Sequence, residues 1–237
     1  MDSQSTSAVF LSEALAQINE GAHFLDRLSL DEISALRRVA SPVEVDANQS
    51  IFMQGDQHRG IYLIESGQVR IYYAGPSGKE ITLAYWTPGH FIGGPEVFGG
   101  GLHIWSATAV ESCKLSYLPG AKVRHLAETV PSVALAIIDG LVAKGRCYSA
   151  LVQMLGTRSV TERLAQLLLI LAALDGHADG AKLVVDRRIT HEQLAMIVGS
   201  TRQWVTSTLA RLQKSGHISI DRNVITIEQP DGLRSES

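Results

Sequence analysis

"RRITHEQLAMIVGSTRQWVTSTLARLQKSGHISIDRNVITI", from Arg187 to Ile227, is the stretch whose reading decides the fold. Thr190 and Gln193 stand three residues apart ahead of an apolar run, the spacing at which a hydroxyl and an amide side chain cap each other's backbone N–H. A helix is therefore predicted from His191. It should end near Val198, because Gly199 can take the left-handed conformation that closes a helix. Ser200 and Gln203 repeat the capping spacing and predict a second helix running to about Ser215. Two capped helices joined by one glycine turn make a helix-turn-helix. Beyond Gly216, "HISI" and "VITI" flank Asp221-Arg222-Asn223, which reads as a hairpin forming a wing.

Within the second helix Val205, Leu209 and Leu212 recur at four and three residues and should face a core. Thr201, Arg202, Gln203, Thr206, Ser207 and Ala210 then lie on other faces. Arginine can grip guanine O6 and N7, glutamine can pair with adenine, and short hydroxyls bond bases or phosphates, so this face suits a DNA major groove. Arg187, Arg188, Arg202, Arg211, Lys214 and Arg222 against Glu192 and Asp221 make the region basic, although the whole chain carries a formal charge of −3. Thr201, Arg202, Gln203, Thr206, Ser207, Arg211 and Arg188 are the candidate DNA contacts. A purely packing helical hairpin with solvated charges is the competing reading, and it requires two capping boxes, a glycine turn and a wing to coincide.

Working outward, "SVTERLAQLLLILAAL" from Ser159 predicts an amphipathic to fully apolar helix, and "KLVVD" a short strand. From Pro131 to Leu155 no further proline interrupts the chain. Ile138, Leu141, Gly145, Tyr148, Val152 and Leu155 recur there at alternating intervals of three and four, giving a long helix with an apolar seam. Length and heptad spacing do not separate a core seam from a dimer seam. Gly140 and Gly145 each cost roughly 1 kcal/mol relative to alanine inside a helix, which suggests close helix approach or local flexibility.

Upstream, Ser41 to Leu118 reads as short strands and turns, the pattern of a sandwich, barrel or jelly roll. Ile61 to Ile64 and Val69 to Tyr73 give a hairpin signal across Ser66-Gly67-Gln68. "FLDRLSLDEISALRRVA" is a short helical lead-in. "GHFIGGPEVFGGGLHIWSA", Gly89 to Ala107, carries glycine pairs and triplets that could cradle a phosphate, yet it has no arginine or lysine.

Composition narrows the class. With 237 residues and 45% hydrophobic content the chain suits a soluble globular protein of one large or two ordinary domains. The polar Met1 to Ser7 start lacks the features of a signal peptide, and no apolar run approaches the ~20 residues of a spanning helix, so a cytoplasmic location is expected. Cys113 and Cys147 are the only cysteines and have no CxxC spacing, which argues for buried thiols rather than a cysteine-ligated metal, with redox reactivity at Cys147 as the alternative. No metal site, Walker loop, nucleophile elbow or HExxH is found, and no enzyme activity is expected.

These motifs, in this order, resemble the Crp/Fnr family of bacterial transcription regulators. The resemblance runs from "FLDRLSLDEISAL" through "VDANQSIFMQGDQHRGIYLIESGQVRIYY" and "FIGGPEVF" to "ITHEQLAMIVGSTRQWVTSTLARLQKSGHISI". It implies an α+β chain: a lead-in helix and cyclic-nucleotide-binding-like jelly roll over residues 1–120, a dimerisation helix over 121–156, and a winged helix-turn-helix over 157–237. It also implies a homodimer on a two-fold DNA operator, with RNA polymerase as a further partner. The seam of Ile138, Leu141, Gly145, Tyr148, Val152 and Leu155 would then pair across the dimer axis. Arg202 matches the family's frequent base-reading arginine, Gln203 stands where many members have glutamate, and Ser207 where members responding to cyclic AMP have a second arginine.

The same resemblance aligns Gly94 with the glutamate that bonds the ribose, and His103 and Ile104 with the arginine and hydroxyl that hold the cyclic phosphate. All three polar contacts are missing, so no response to cyclic AMP through the usual contacts is expected. Trp86, Phe91, Ile92, Val97 and Phe98 add an apolar surround. The candidate effector residues are Gly93, Gly94, Glu96, His103, Ile104, Trp105, Tyr148 and Ser149, suited to a small organic molecule. A barrel filled by its own aromatics is the alternative. Haem at His90 or His103, and a ligand-binding module signalling to a protein partner, are further readings; the sequence identifies no cofactor.

Overall fold

The computed structural model describes residues 23–185, 189–222 and 224–235. A 3-10 turn, Phe24–Arg27, leads into α1, Leu30–Val39, whose start is fixed by a capping box between Ser29 and Glu32. Eight strands follow: β1 Ser41–Val45, β2 Ser50–Phe52, β3 Gly60–Ser66, β4 Val69–Ala74, β5 Glu80–Trp86, β6 Phe91–Ile92, β7 Ser106–Ala109 and β8 Cys113–Pro119. They form two four-stranded antiparallel sheets, ordered β1-β8-β3-β6 and β2-β7-β4-β5. This is a jelly roll, one of the architectures the strand spacing allows and the one the resemblance implies. Buried Ile64 and Leu115 from one sheet and Val69, Ile71 and Trp86 from the other fill its interior, whereas Ile61, Leu63 and Phe91 turn from the opposite face of the first sheet toward the helices.

One expectation fails here. The hairpin read across Ser66-Gly67-Gln68 does not form, because β3 pairs with β8 and β6 whereas β4 pairs with β5 and β7. Gly67 (φ 87°) carries the chain from one sheet to the other instead. A side chain there would lie 2.6 Å from the Ser112 carbonyl oxygen, so the crossing needs glycine for space as well as conformation.

After β8 come α2, Gly120–Thr129, and the long helix α3, Pro131–Thr157. Val123, Val133, Ala136 and Ile137 pack with Phe24, Leu36, Ile61, Phe91 and Leu118 in one core that joins the helices to the barrel. The chain divides into two compact units at Tyr148 and Ser149, within α3. Among the described residues no single helix is long and apolar enough to cross a membrane.

The second unit continues with α4, Val160–Asp175, started by a Ser159–Glu162 capping box. Strands β9, Gly176–Asp179, and β10, Lys182–Val185, then precede α5, His191–Val198, and α6, Arg202–Lys214. Strands β11, Ile218–Asp221, and β12, Val224–Ile227, complete a four-stranded sheet ordered β11-β12-β10-β9, and α7, Pro230–Ser235, closes the chain. Leu194, Ile197, Val198, Val205, Leu209 and Leu212 are buried, so both helices turn their apolar faces inward as their spacing predicts. The fold is thus α+β: an N-terminal jelly roll, a long helix and a C-terminal winged helix-turn-helix.

Candidate functional site

The helix pair is built by local chemistry. Thr190 accepts from the Gln193 N–H at 3.2 Å, and the Gln193 side chain accepts from the Thr190 N–H at 2.8 Å, completing the predicted box. Gly199 ends α5 in the left-handed conformation (φ 66°). The second cap differs from expectation by one residue: Thr201, not Ser200, accepts from the Trp204 N–H at 3.2 Å. Ser200 is already committed to the end of α5, its N–H donating to the Ala195 carbonyl at 2.9 Å, so the next hydroxyl starts α6.

This geometry exposes Thr201, Arg202, Gln203, Thr206, Ser207 and Arg211, and buries Val205, Thr208, Leu209 and Leu212. The exposed residues are not equivalent. Among the described residues Arg202 and Gln203 make no side-chain hydrogen bond, leaving a guanidinium and an amide uncommitted at the helix start. Thr206 donates to the Arg202 carbonyl at 2.9 Å and meets His191 Nδ1 at 2.8 Å; Ser207 donates to the Trp204 carbonyl at 2.9 Å. Arg211 donates to Thr161 Oγ1 on α4 at 3.0 Å, which ties it to the scaffold. A cleft of about 520 Å³ between α5, Arg202 and the wing is lined by Ile189, Thr190, His191, Glu192, Ile220 and Ile225. Arg188 lies outside the described residues, as do Arg187 and Asn223.

In the barrel, Gly93 and Gly94 take backbone conformations (φ 144° and 132°) that favour glycine, and both are buried. His103 is buried with Nδ1 2.8 Å from the Gly93 carbonyl oxygen, and its ring stacks on Phe52 at 3.9 Å. Burial, reinforced by neighbouring His58, holds the His103 pKa below the ordinary imidazole value. Trp105 and Tyr148 meet at 5.5 Å between centroids, and burial pushes the Tyr148 hydroxyl pKa well up. The remaining expected effector residues diverge: Glu96 is exposed with a carboxylate oxygen near Gly94, while Ile104 is 49% exposed and points away from the interior. Ser149 is exposed on α3.

Sequence reasoning missed two residues in this unit. His58 is 1% exposed, lies 4.4 Å from the His103 ring, and among the described residues has no hydrogen-bond partner on either nitrogen. Lys144, on α3, places its ammonium against Trp86 and Phe91, at 4.4 and 4.0 Å from the ring centroids. The glycine-rich segment has no lysine or arginine of its own, and the cation beside these rings comes from α3. Both residues come from segments distant from the glycine-rich loop, so no local spacing announces them. His90 beside them is held neutral, its pKa lowered to about 4 by burial and by the Lys144 charge. Among the described residues no group of His, Cys, Asp and Glu is arranged to hold a metal ion.

The expected seam residues of α3 differ in exposure within the chain. Ile138, Gly145 and Val152 are exposed as a pairing face requires, Ile138 at 52% and Val152 at 68%. Leu141, Tyr148 and Leu155 are instead partly covered by their own chain, and the exposed line runs Leu135, Ile138, Val142, Gly145, Ser149, Val152. Its intervals of three and four residues are those of a two-helix seam.

A jelly roll, a long helix and a winged helix-turn-helix with an uncommitted arginine at its reading end define a DNA-binding transcription regulator. Residues 42–130 match the family described as cyclic nucleotide-binding domain, and residues 162–236 the Crp-like helix-turn-helix domain. The chain belongs to the Crp/Fnr family of transcription regulators. It is 26% identical over 201 residues to the CRP-like cAMP-activated global transcriptional regulator of Mycobacterium tuberculosis, covering 85% of this chain and 90% of the relative. It is also 26% identical over 187 residues to the global nitrogen regulator of a Nostoc species, covering 78% and 84%. Among solved structures, the c-di-GMP responsive global regulator CLP of Xanthomonas campestris superposes with a TM-score of 0.74 at 20% identity, over 84% of this chain and 99% of that one. A CRP/FNR-family transcriptional regulator of Thermus thermophilus does so with 0.61 at 27% identity, over 82% and 97%.

Proposed function

We propose that this chain acts as a homodimer on a two-fold DNA operator, with residues 1–120 sensing a small organic effector, 121–156 coupling and 157–237 reading DNA. The observation that carries the reading is the start of α6, where Arg202 and Gln203 are exposed and uncommitted while Thr206 and Ser207 beside them are held by backbone and His191 contacts. A guanidinium and an amide positioned this way can each make a bidentate base contact. The exposed line of Leu135, Ile138, Val142 and Val152 supports pairing of α3 with a second copy, which a two-fold operator requires.

The effector differs from cyclic AMP bound in the usual way, since Gly94, His103 and Ile104 offer neither a carboxylate, a guanidinium nor a hydroxyl. An effector would act by changing the rigidity or pairing of α3, the element that leads from the barrel into the DNA-reading unit. The regulator works in the cytoplasm, engages RNA polymerase at its promoters and has no catalytic activity. Binding to a selected operator and to unrelated duplex DNA, measured across a salt series, tests the core of this. Both affinities should fall steeply with added salt, and Arg202→Ala should weaken operator binding far more than unrelated binding. Equal losses on both DNAs would contradict base reading.

A further inference from the structure

Helix geometry puts Thr206 in the middle of the reading face of α6. Arg202 and Gln203 stand about 100° apart around the helix, and Thr206, one turn further on, lies about 40° from Arg202, inside the arc that the two bound. Ala210 follows it after another turn, and both are exposed. A threonine offers a base two different groups, a hydroxyl and a methyl. Here the hydroxyl is spent. Thr206 Oγ1 lies 2.9 Å from the Arg202 carbonyl oxygen and 2.8 Å from His191 Nδ1. Whichever of the two takes its single proton, none remains for the acceptor atoms that purines present in the major groove. These partners belong to the backbone of α6 and to α5, so the oxygen is drawn back toward the protein and its rotamer is fixed from two sides. The γ-methyl is the group left to an exposed residue. Ser207 beside it has likewise given its proton to the Trp204 carbonyl, at 2.9 Å, and has no methyl to offer.

Resting on the reading of α6 as the DNA-reading helix, we propose that Thr206 determines specificity through its methyl, which packs on the C5-methyl of a thymine beside the base pairs read by Arg202 and Gln203 in each half-site. Apolar contact with that methyl is the major-groove signal that needs neither a donor nor an acceptor, and the methyls of threonine and alanine suit it. Cytosine lacks the group. A purine at the same place would set its N7, and in guanine its O6, against a side chain with no proton to give. The face therefore combines two polar readers at its edges with an apolar reader at its centre, and Ala210 extends the apolar strip along the helix.

The test uses the full chain and an operator selected from a random duplex pool, with deoxyuridine replacing thymine at one position of each half-site at a time. That exchange removes the methyl and leaves every hydrogen-bonding atom of the base in place. At one position the wild-type chain should lose about threefold to tenfold in affinity. Thr206→Ser, which keeps the hydroxyl and removes the methyl, should bind the thymine and uracil operators equally. Thr206→Val, which keeps the methyl and removes the hydroxyl, should retain the wild-type ratio. Each variant is judged by its own ratio of thymine to uracil affinity, which a general loss of stability or of phosphate contacts leaves unchanged. A ratio that survives Thr206→Ser, or one that Thr206→Val abolishes, overturns the assignment. An operator indifferent to every uracil overturns it alone, whereas failure to select any operator overturns the DNA-reading assignment with it.

Discussion

The DNA-reading face and the barrel interior are built by opposite strategies. On the C-terminal face, every element that aims Arg202 and Gln203 lies within about a dozen residues of them: the Thr190 cap, the Gly199 stop and the Thr201 cap. In the barrel, the groups that set the polarity of the interior arrive from far apart, His58 beside His103 and Lys144 beside Trp86 and Phe91. A surface that must present a fixed pattern to DNA benefits from rigid local caps. The barrel interior is assembled by the tertiary fold, which brings a few buried polar groups together with its aromatic rings.

The contrast can be broken in several places. The largest effect is expected from Leu209→Ala, which empties the core under the reading face and should cost about 2–5 kcal/mol, seen as a lowered midpoint in denaturant. Acid should act on the barrel through His90. Its folded pKa of about 4 lies below the ordinary 6.5, so the unfolded chain binds more protons between those values. The stability it contributes is present above about pH 6.5 and is lost as pH falls toward 4, up to about 3 kcal/mol, and His90→Gln should flatten that part of the stability–pH curve. Lys144 acts in a separate window: its folded pKa of about 7 lies below 10.5, so stability should rise with pH between them, and Lys144→Met should remove the slope.

Arg202→Ala should leave stability unchanged and cost about 1–3 kcal/mol of operator discrimination, read by competition between operator and a single-base variant. Arg211→Ala should differ in kind, because its guanidinium is tied to Thr161: it should lower stability slightly and reduce binding to all DNA sequences alike. The smallest effect is expected at the cap, where Thr190→Ala should cost about 1 kcal/mol of stability and weaken operator binding only through fraying of α5.

The difference between the regions also explains what the sequence made legible. Capping boxes, a glycine stop and four-three spacing are short-range signals, and they placed α5, α6 and the wing to within a residue or two. The one slip, Ser200 for Thr201, arose between adjacent hydroxyls, and was decided by a backbone bond to Ala195 that no side-chain spacing encodes. In α3 apolar residues occupy both the barrel side and the outer side, so a three-four pattern fits two neighbouring registers. Leu141 and Tyr148 follow one register and are half-buried; Val142 and Ser149 follow the next and are exposed. The β3–β4 hairpin failed because a turn signal at Gly67 does not say which sheet the next strand joins. His58 and Lys144 were invisible as site residues for the same reason: a long-range pairing brings them to their partners.

The central claim is that α6 reads bases from a two-fold dimer. Selection of bound sequences from a random duplex pool tests it most directly. The account predicts enrichment of an inverted repeat with half-sites about 34 Å, one helical turn, apart, and loss of a specific base preference in each half when Arg202→Ala is used. A pool that enriches no motif, a single unrepeated half-site, or an inverted repeat unchanged by Arg202→Ala would contradict it.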